Sequence, residues 1–414
     1  MPERVEPSRT VHPVLFLIMF VPLGISNGYV VVTLAYLLSH AGVSVAAVAG
    51  LVALSLFPQT WKFVYAPIVD TTLNNKLWFL LSATATGVLM VATAVVAPTQ
   101  THLLLIECLV MGFSVASGFN GMAADALMAH ATPADDKGRA GGWSQAGNLG
   151  GSGLGGGAGL WLAQHVAAQW VAGAVLGIVC ILSAAVLLYL DEPPATHRAA
   201  RYIDSLKNVG LDVWSLCRAR MGYLALFIMV LPIGVGAAQN LWSAVSGDWH
   251  ASADAVALVN GALGGVISMF GCIAGGYICD LMDRKTAYNI FGILLAVCAV
   301  AMAVAPRNET MFVVFTCLYA FVLGFSYAAF GAVTLEAIGG GAAATKYNVI
   351  ASIANIPIAY QTLIDGWAQT RWGSGGMLWV EAASGVAAVA VYLAFAAATR
   401  GLGTTDEPLH ADAR

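Results

Sequence analysis

Apolar residues form twelve long runs along the chain, and short polar stretches separate them. Each run has about 20 residues, the length that a helix needs to cross the hydrocarbon core of a bilayer. The first six predicted spans cover residues 14–38, 44–66, 77–97, 102–124, 140–163 and 167–190. The second six cover residues 222–246, 255–279, 286–305, 311–336, 346–369 and 376–398. The pattern predicts an all-α membrane protein with twelve transmembrane helices.

A longer polar stretch divides the two sets of spans. It contains Asp191-Glu-Pro-Pro and then an amphipathic segment, YIDSLKNVGLDVWSLCR, that is typical of a short helix lying at a membrane surface. We therefore expect an N-terminal half at residues 1–190, a cytoplasmic linker with a short amphipathic helix at residues 191–221, and a C-terminal half at residues 222–414.

The two halves repeat one another. Four short matches recur at an offset of about 210 residues, and this offset is almost constant along four predicted spans. The matches are Pro22-Leu-Gly-Ile with Pro232-Ile-Gly-Val, Asp70 with Asp280, Gly112-Phe-Ser with Gly324-Phe-Ser, and Asn148 with Asn355. Because each half has six spans, both halves enter the membrane in the same direction, and an axis along the membrane normal relates them.

Lysine and arginine are distributed unevenly between the two sides of the predicted bundle. With both termini in the cytoplasm, 15 of the 18 fall on the cytoplasmic side, while Arg307 and Arg371 fall on the other side and Lys62 lies inside the second span. The cytoplasmic set is Arg4, Arg9, Lys76, Lys137, Arg139, Arg198, Arg201, Lys207, Arg218, Arg220, Arg284, Lys285, Lys346, Arg400 and Arg414. The positive-inside rule therefore predicts that both termini are cytoplasmic.

Composition agrees with this picture and excludes several classes of protein. Hydrophobic residues make up 59% of the chain and charged residues only 10%, against about 25% charged in soluble domains. No basic stripe with interleaved aromatic residues indicates a nucleic-acid partner. The seven cysteines form neither a CxxC pair nor a cluster with histidine, so we expect no metal site and no disulfide.

A glycine-rich run in the fifth span formally fits a dinucleotide motif, Gly151-Ser-Gly-Leu-Gly-Gly156. No strand precedes it, and no acidic partner for a ribose follows it, so close helix packing is the better interpretation. Walker A sequences are missing as well. We therefore expect no cofactor and no enzyme, and an energy source that is an ion gradient or the gradient of the solute itself.

The loop after the eighth span contains Gly276-Tyr-Ile-Cys-Asp280-Leu-Met-Asp-Arg284-Lys285. This sequence resembles the G-x-x-x-D-x-x-x-R-[KR] loop signature of the major facilitator superfamily. The resemblance implies a gate on the cytoplasmic side, in which Gly276 allows close helix packing and Asp280 accepts hydrogen bonds from a helix N-terminus or an arginine. The alternative is that the basic residues only follow the positive-inside rule.

The loop after the second span carries the repeat of this motif and a second resemblance. Lys62-Phe-Val-Tyr-Ala-Pro-Ile-Val-Asp70 resembles a signature of the superfamily branch that contains muropeptide permeases, acetyl-CoA transporters and siderophore permeases of the rhizobactin and pyochelin type. This copy lacks the glycine, and Asn74 stands where the basic residue should be, so we expect either a weaker contact or a different partner for Asp70. We expect Lys62 to pair with Asp70 or Asp125 in the gate, and Glu336 to occupy the place equivalent to Asp125.

Few ionisable residues lie inside the predicted spans, and such residues are functional candidates by default. Glu107 is the candidate for proton coupling, since a carboxyl group away from water is protonated more easily. The equally weighted alternative is an interfacial side chain that reaches the lipid headgroups. Asp365 and Glu381 lie near the outer ends of the eleventh and twelfth spans.

Polar and aromatic residues near the middle of the spans are the candidates for a substrate cavity between the halves. For any one of these residues, hydrogen bonding between helices is as good an explanation as contact with a substrate. The set is rich in amides and aromatic rings and lacks arginine, which favours a neutral or amphipathic solute. Its members are Asn27, Tyr29, Ser114, Asn120, Gln145, Asn148, Gln239, Asn240, Trp242, Phe325, Tyr327, Asn355, Tyr360 and Gln361.

These observations predict a secondary transporter of the bacterial inner membrane that works by alternating access as a monomer. We expect proton-coupled import of a medium-sized organic solute, with a ferric siderophore of the pyochelin type as the first candidate. The alternatives are a muropeptide permease and an exporter of a small hydrophobic metabolite or drug. A membrane receptor without transport and a membrane-embedded enzyme fit the residues less well, because gating loops are present and no cluster of catalytic side chains lies at one depth.

Overall fold

The computed structural model describes residues 11–166, 168, 170–191, 202–339 and 342–399, and these residues contain helices and no strand. In the first half, α1 is Val14–His40, α2 is Val45–Thr60 with Lys62–Thr71, and α3 is Asn75–Val95. Helix α4 is Leu103–Ala131, and α6 is Trp170–Tyr189. Between them, α5 comprises Lys137–Gly153, the π-helical turn Leu154–Ala158, and Gly159–His165.

The second half has the same plan and follows a linker helix, Tyr202–Arg218. Helix α7 begins with Arg220–Val230 and resumes in the short pieces Ala237–Leu241, Trp242–Val245 and Ser246–Trp249. Helix α8 comprises Ala253–Asn260 and Ala262–Leu281, α9 is Arg284–Val304, and α10 is Glu309–Ile338. The helical stretch Ala343–Ala398 bends at Gly373, which has a φ of 69°, and this bend separates α11 (343–372) from α12 (374–398).

The described residues account for twelve spanning segments. Eight helical stretches are long and apolar enough to cross a membrane, and the longest of them contains both α11 and α12. The other three segments, α2, α5 and α7, cross in shorter helical pieces. The all-α fold with twelve spans is therefore as predicted, but three details differ. Helix α2 continues to Thr71 after a break at Trp61, α4 continues to Ala131, and α7 is not one continuous helix.

Side-chain caps fix where several of these helices begin. The side chains of Ser44, Asn74, Asp283 and Asn308 each accept a hydrogen bond from the backbone N–H three residues later, at 2.7–3.3 Å. Such caps satisfy N–H groups that the first helical turn leaves without a partner. Asn74, which replaces the basic residue of the loop signature, therefore has a structural role as the cap of α3.

The two halves meet mainly along three pairs of helices. Helix α5 packs against α8 and α10, and α2 packs against α11 through its second piece, Lys62–Thr71. The first pair approaches closely because it is built from glycine. A Cβ atom on Gly142 would lie 2.5 Å from the Cys272 carbonyl oxygen and 2.8 Å from Gly276 Cα. On the other side of α5, a Cβ atom on Gly151 would lie 2.8 Å from the Val21 carbonyl oxygen of α1.

The buried core shows at which end the halves are joined. We call the end that carries the loops 72–74, 132–136 and 282–283 the basic face, and the other end the opposite face. Towards the basic face, one continuous cluster contains residues of both halves, such as Phe20 and Leu127 with Phe291 and Tyr347. Towards the opposite face, the first half has its own cluster around Tyr29 and the second half has another around Tyr319. The halves are therefore closed together at the basic face.

The sequence-based half boundaries and the basic-residue count extend into residues outside the described part. Those residues include Arg4, Arg9, Arg198, Arg201, Arg400 and Arg414. Within the described part, Arg307 lies in the turn between α9 and α10, and Arg371 precedes the bend at Gly373, so both are at the opposite face.

Candidate functional site

A cavity of about 190 Å³ lies between the two halves. Helices α1, α2, α4 and α5 line it from the first half, and α7, α9, α10 and α11 line it from the second. Apolar side chains such as Phe20 and Phe330 form part of the wall. Its polar side chains are Gln59, Lys62, Asp125, Gln145, Asn148, Tyr288, Ser326, Tyr327, Tyr347, Asn348, Ser352 and Asn355.

Two opposite charges lie in the cavity wall towards the basic face. Lys62 of α2 and Asp125 of α4 are close enough for their charges to attract one another. Asp125 is buried and accepts a hydrogen bond from the Asn348 amide nitrogen of α11 at 3.1 Å. Because the two charges cancel, this part of the wall has no net charge to attract a polyanion. The contact with Asn348 also joins the halves below the cavity.

Uncharged amides cover the wall between these charges and the opposite face. Asn348, Ser352 and Asn355 occupy positions i, i+4 and i+7 of α11, so they form one polar stripe on a single face of the helix. Across the cavity, the Asn148 amide donates to Gln145 Oε1 at 3.3 Å. These groups both donate and accept hydrogen bonds, as a neutral solute with hydroxyl or amide groups requires.

Asp70, at the end of α2, caps a helix of the other half. Its carboxylate accepts hydrogen bonds from the backbone N–H groups of Ala344 and Thr345, at 3.3 and 2.9 Å, and from the Thr345 hydroxyl at 2.6 Å. These N–H groups belong to the first turn of α11, where the helix dipole favours a negative charge. Of the two predicted partners for Lys62, Asp125 is the one whose charge acts on it.

Asp280, at the end of α8, caps α5 in the same way. Its carboxylate accepts from the backbone N–H groups of Gly138 and Arg139, at 2.7 and 3.0 Å, and from Arg139 Nε at 2.8 Å. Gly276 permits this contact, since a Cβ atom there would lie 2.7 Å from the Gly138 carbonyl oxygen. Two repeat-related aspartates thus hold the halves together at the basic face.

A third group of contacts surrounds the end of α10. Arg284 donates to the Ala134 carbonyl oxygen at 2.6 Å, which again joins the halves. Arg284 and Lys285 each lie 3.8 Å from the Glu336 carboxylate. All eight residues that the sequence placed in the gate, including Glu336, therefore lie in or next to the contacts that join the halves towards the basic face.

The predicted cavity residues lie in several places. Gln145, Asn148, Tyr327 and Asn355 line the cavity. Ser114, Asn120 and Tyr29 are buried among helices of the first half, Asn27 is exposed on α1, and Phe325 packs against Phe291 and Phe321. Gln239, Asn240, Trp242, Tyr360 and Gln361 lie near the interruption of α7.

Sequence reasoning did not select Gln59, Tyr288, Tyr347, Asn348 and Ser352, which also line the cavity. A periodicity signal was available for two of them, because Asn348 and Ser352 precede Asn355 by seven and three residues and so share its face of the helix. Gln59 similarly precedes Lys62 by three residues. Glu107, the sequence-based candidate for proton coupling, is partly exposed on α4 and does not line the cavity.

The sequence model described as "Major Facilitator Superfamily" matches residues 14–362, which is most of the chain. The chain belongs to the major facilitator superfamily. As a member of this family it is a multi-pass membrane transporter and not an enzyme. Among the described residues, no group of three or more His, Cys, Asp or Glu side chains could hold a metal ion.

Solved major facilitator structures share the fold. The Escherichia coli fucose:proton symporter FucP is similar with a TM-score of 0.69 and 13% identity, over 93% of this chain and 98% of that one. The human organic anion transporter MFSD10 gives a TM-score of 0.70 and 14% identity, over 94% and 100%. The proton:xylose symporter XylE gives 0.63 and 14%, over 93% and 94%. A comparison with curated protein sequences finds no match.

Proposed function

We propose that this transporter couples the movement of a small organic solute to protons by alternating access. The observation that carries the proposal is the pair of repeat-related contacts in which Asp70 caps α11 and Asp280 caps α5. Both contacts bridge the halves at one end of a polar cavity, and both must break if that end is to open. A cavity closed at one end by breakable charged contacts is what a rocking mechanism requires.

The charge distribution supports a cytoplasmic position for the basic face. The basic face carries Arg139, Arg284 and Lys285, and the positive-inside rule places such a face in the cytoplasm. With both termini in the cytoplasm of a bacterial inner membrane, the conformation described here is closed to the cytoplasm. The cavity then receives its solute from the outside in this state, which agrees with import, although the same cycle run backwards would export.

The cavity favours a small neutral solute with several hydrogen-bonding groups. Its volume of about 190 Å³ is below the roughly 300–1,000 Å³ of pockets for drug-sized ligands. Its wall combines amides and hydroxyls with aromatic rings, and its two charges are opposite. FucP and XylE are named as symporters of fucose and xylose with protons, so sugars of this size are suitable first test solutes.

A ferric siderophore is the finer proposal that follows from the loop signature around Lys62 and Asp70. It needs a wider cavity than the one in this conformation. Muropeptide uptake and export of a small hydrophobic metabolite are the other finer proposals, and they predict different solutes in the same assay. We also propose that the transporter works as a monomer, because each polypeptide contains both halves.

Uptake into proteoliposomes containing the full chain tests this function. The panel contains fucose, xylose, an iron-loaded pyochelin-type siderophore, an anhydro-muropeptide and a coenzyme A thioester, each with and without an inward proton gradient. We expect the gradient to stimulate uptake of one panel member. We expect Asp125→Asn to abolish that uptake and Asp135→Asn, an exposed carboxylate of the α4–α5 connection, to leave it unchanged.

Three other outcomes would change the proposal. Uptake without stimulation by the gradient would replace symport with facilitated diffusion. A complete lack of uptake in folded preparations would favour export. Strong uptake of a polyanion that survives replacement of Lys62 would exclude a neutral solute. Glu107→Gln in the same assay tests whether the sequence-based coupling residue is needed.

A further inference from the structure

Two carboxylates lie inside the second half and away from the wall of the cavity. Asp365 of α11 is fully buried, and Glu381 of α12 is 8% exposed. Each lies eight residues from the bend at Gly373, which is roughly 12 Å into the membrane from the opposite face. Tyr319 of α10 lies at a similar depth, ten residues after the start of its helix. Three different helices therefore bring these groups together at one level.

The groups around the pair mostly donate hydrogen bonds to it. The Tyr319 hydroxyl donates to Glu381 Oε1, and the Gln361 amide donates to Asp365 Oδ1 at 2.8 Å. The backbone N–H groups of Ala237 and Ala238 also lie near the Glu381 carboxylate. These amides belong to the turn where α7 resumes after its interruption.

Some of the buried oxygen atoms at this site nevertheless lack a hydrogen-bond partner. Asp365 Oδ2, Glu381 Oε2 and Gln361 Oε1 are buried and have no hydrogen-bond partner. Neither carboxylate forms an ion pair with a lysine or arginine of the described part of the chain. Arg307 bonds to Ser374, about 10 Å away along α12. Cys298 of α9 and Tyr319 are the other titratable groups that face Glu381.

The charge of Asp365 acts directly on Glu381. Two neighbouring carboxylates cannot both remain ionised away from water without a cation, so such a pair holds a proton. A metal ion is a poor alternative occupant. Hard cations need about six oxygen ligands, whereas this site offers three unpartnered oxygen atoms beside its N–H and O–H donors. The space beside Glu381 is also only about 10 Å³, which is no more than the volume needed for one water molecule.

From this geometry we propose that Asp365 and Glu381 form the proton-binding site that couples proton movement to transport. The proposal rests on the proton-coupled function proposed above and names where the coupling proton binds. It assigns the proton to the second half, whereas Glu107, the candidate from the sequence, lies in the first half.

The interruption of α7 connects this site with the cavity. Gly234 and Val235 border both the cavity and the small space beside Glu381. Helix α11 holds the interruption on its two sides, because Tyr360 donates to the Val230 carbonyl oxygen at 2.8 Å and Asn240 donates to Thr362 at 3.1 Å. Both contacts lie within five residues of Asp365. A change of charge on the pair therefore acts on the segment of α7 that borders the solute.

Infrared difference spectroscopy of the full chain in lipid tests the site without a known solute. Spectra recorded in acidic and alkaline buffer show protonated carboxyl groups through their C=O stretching band. We expect the double variant Asp365→Asn/Glu381→Gln to lose one component of that band. Asp254→Asn, an exposed carboxylate at the start of α8, should retain every component, and Asp125→Asn should lose a different one.

Tyr319→Phe is the second variant, because it keeps both carboxylates and removes one hydrogen bond. We expect it to move the frequency of the component that the double variant loses. A folded double variant whose spectrum superimposes on the wild-type spectrum would overturn the proposal. An unmoved band in Tyr319→Phe would equally show that Glu381 does not carry the proton.

Transport assays separate this proposal from the proposed function. Once a panel member is transported, the double variant should lose accumulation driven by the proton gradient while retaining counterflow, the exchange of labelled for unlabelled solute. Loss of accumulation in Glu107→Gln with full accumulation in the double variant would overturn the assignment to the pair. Wild-type transport that ignores the gradient would instead contradict proton coupling itself, and the infrared titration would still test whether the pair binds a proton.

Discussion

Asp70 and Asp280 each lie where a helix of the other half begins. The first turn of a helix has N–H groups without intrahelical partners and carries a partial positive charge, so a carboxylate stabilises it. Asp280 has an additional partner in the Arg139 guanidinium, whereas Asp70 has the Thr345 hydroxyl. The two contacts are thus related by the repeat, and a positive side chain supports each of them, because Lys346 at the start of α11 attracts the Asp70 carboxylate.

Asp280→Asn should weaken closure at the basic face. The variant loses a charge that accepts three hydrogen bonds, and hydrogen bonds to charged groups contribute about 1.5–3 kcal/mol each. We expect the closed conformation to lose about 2 kcal/mol and transport turnover to fall. The measurement is solute counterflow in proteoliposomes, combined with hydrogen exchange of the first turn of α5.

Asp70→Asn should have an effect of the same sign, and Asp135→Asn should have none. If Asp280→Asn exchanges solute at the wild-type rate and protects α5 equally well, the contact is not part of the gate. The basic residues of this loop would then only reflect the positive-inside rule.

A second prediction at the level of single residues concerns the opposite charges of Lys62 and Asp125. Removing one charge leaves the other in the cavity wall without its counter-charge, which costs about 1–3 kcal/mol for a group that keeps some access to water. We expect Lys62→Met and Asp125→Asn each to lower the thermal unfolding temperature in detergent. The double variant restores neutrality and should recover most of the stability but not transport. Single variants that are as stable as the wild type would show that the two charges do not stabilise one another.

Among the helices, α1 and α7 show what the local sequence does not predict, namely whether a helix is interrupted. Both contain a Pro-x-Gly sequence, Pro22-Leu-Gly24 and Pro232-Ile-Gly234, and both were predicted as continuous spans. Helix α1 does continue, because Gly24 packs directly against the backbone of α5. Helix α7 stops at Val230, and Gly234 and Gly236 have positive φ angles of 62° and 68°. The local sequence alone does not separate these outcomes, since the neighbouring helix decides between them.

The contact between α5 and α8 gives a prediction for whole helices. Gly142→Ala places a methyl group 2.5 Å from the Cys272 carbonyl oxygen, so the two backbones must move apart. Overpacking of this kind costs about 1–3 kcal/mol, which exceeds the gain of about 1 kcal/mol from replacing glycine by alanine in a helix. We expect a lower thermal unfolding temperature and less closure at the basic face.

Gly366→Ala is the matched control for that change. No atom lies within 4 Å of a Cβ atom at Gly366 of α11, so this variant should be neutral or slightly more stable. If Gly142→Ala also raises stability, the close approach of α5 and α8 does not limit the packing of the halves.

For the whole molecule, hydrophobic periodicity predicted the all-α fold and the number of spans, and the residues assigned to the gate lie at contacts between the halves. The sequence predicted the cavity less completely, because mid-span polar residues look alike in sequence whether they face a cavity or another helix. Asn120 and Asn148 are both amides within spans, yet Asn120 is buried and Asn148 lines the cavity. The choice depends on the rotation of each helix against its neighbours, which hydropathy does not specify.

The orientation in the membrane can be tested with the native cysteines. Cys217 is exposed on the linker helix at the basic face. We expect a membrane-impermeant maleimide to label Cys217 only after cells are permeabilised. A cysteine at Gly247, an exposed position in the last short piece of α7, should be labelled in intact cells. The reverse pattern would place the basic face outside and would invert the proposed direction of closure.

The final prediction follows from alternating access, and its readout is the accessibility of a side chain in the cavity wall. Asn355 is exposed in the cavity wall, and the halves are joined at the basic face but form separate cores towards the opposite face. Asn355→Cys should therefore react with an impermeant maleimide added at the opposite face. Adding Asp280→Asn should slow this reaction, because losing about 2 kcal/mol of closure shifts the conformational equilibrium about thirtyfold away from this state. Gly247→Cys should react at the same rate in both backgrounds. An unchanged rate at residue 355 would mean that the contact at Asp280 does not control which side of the membrane the cavity faces.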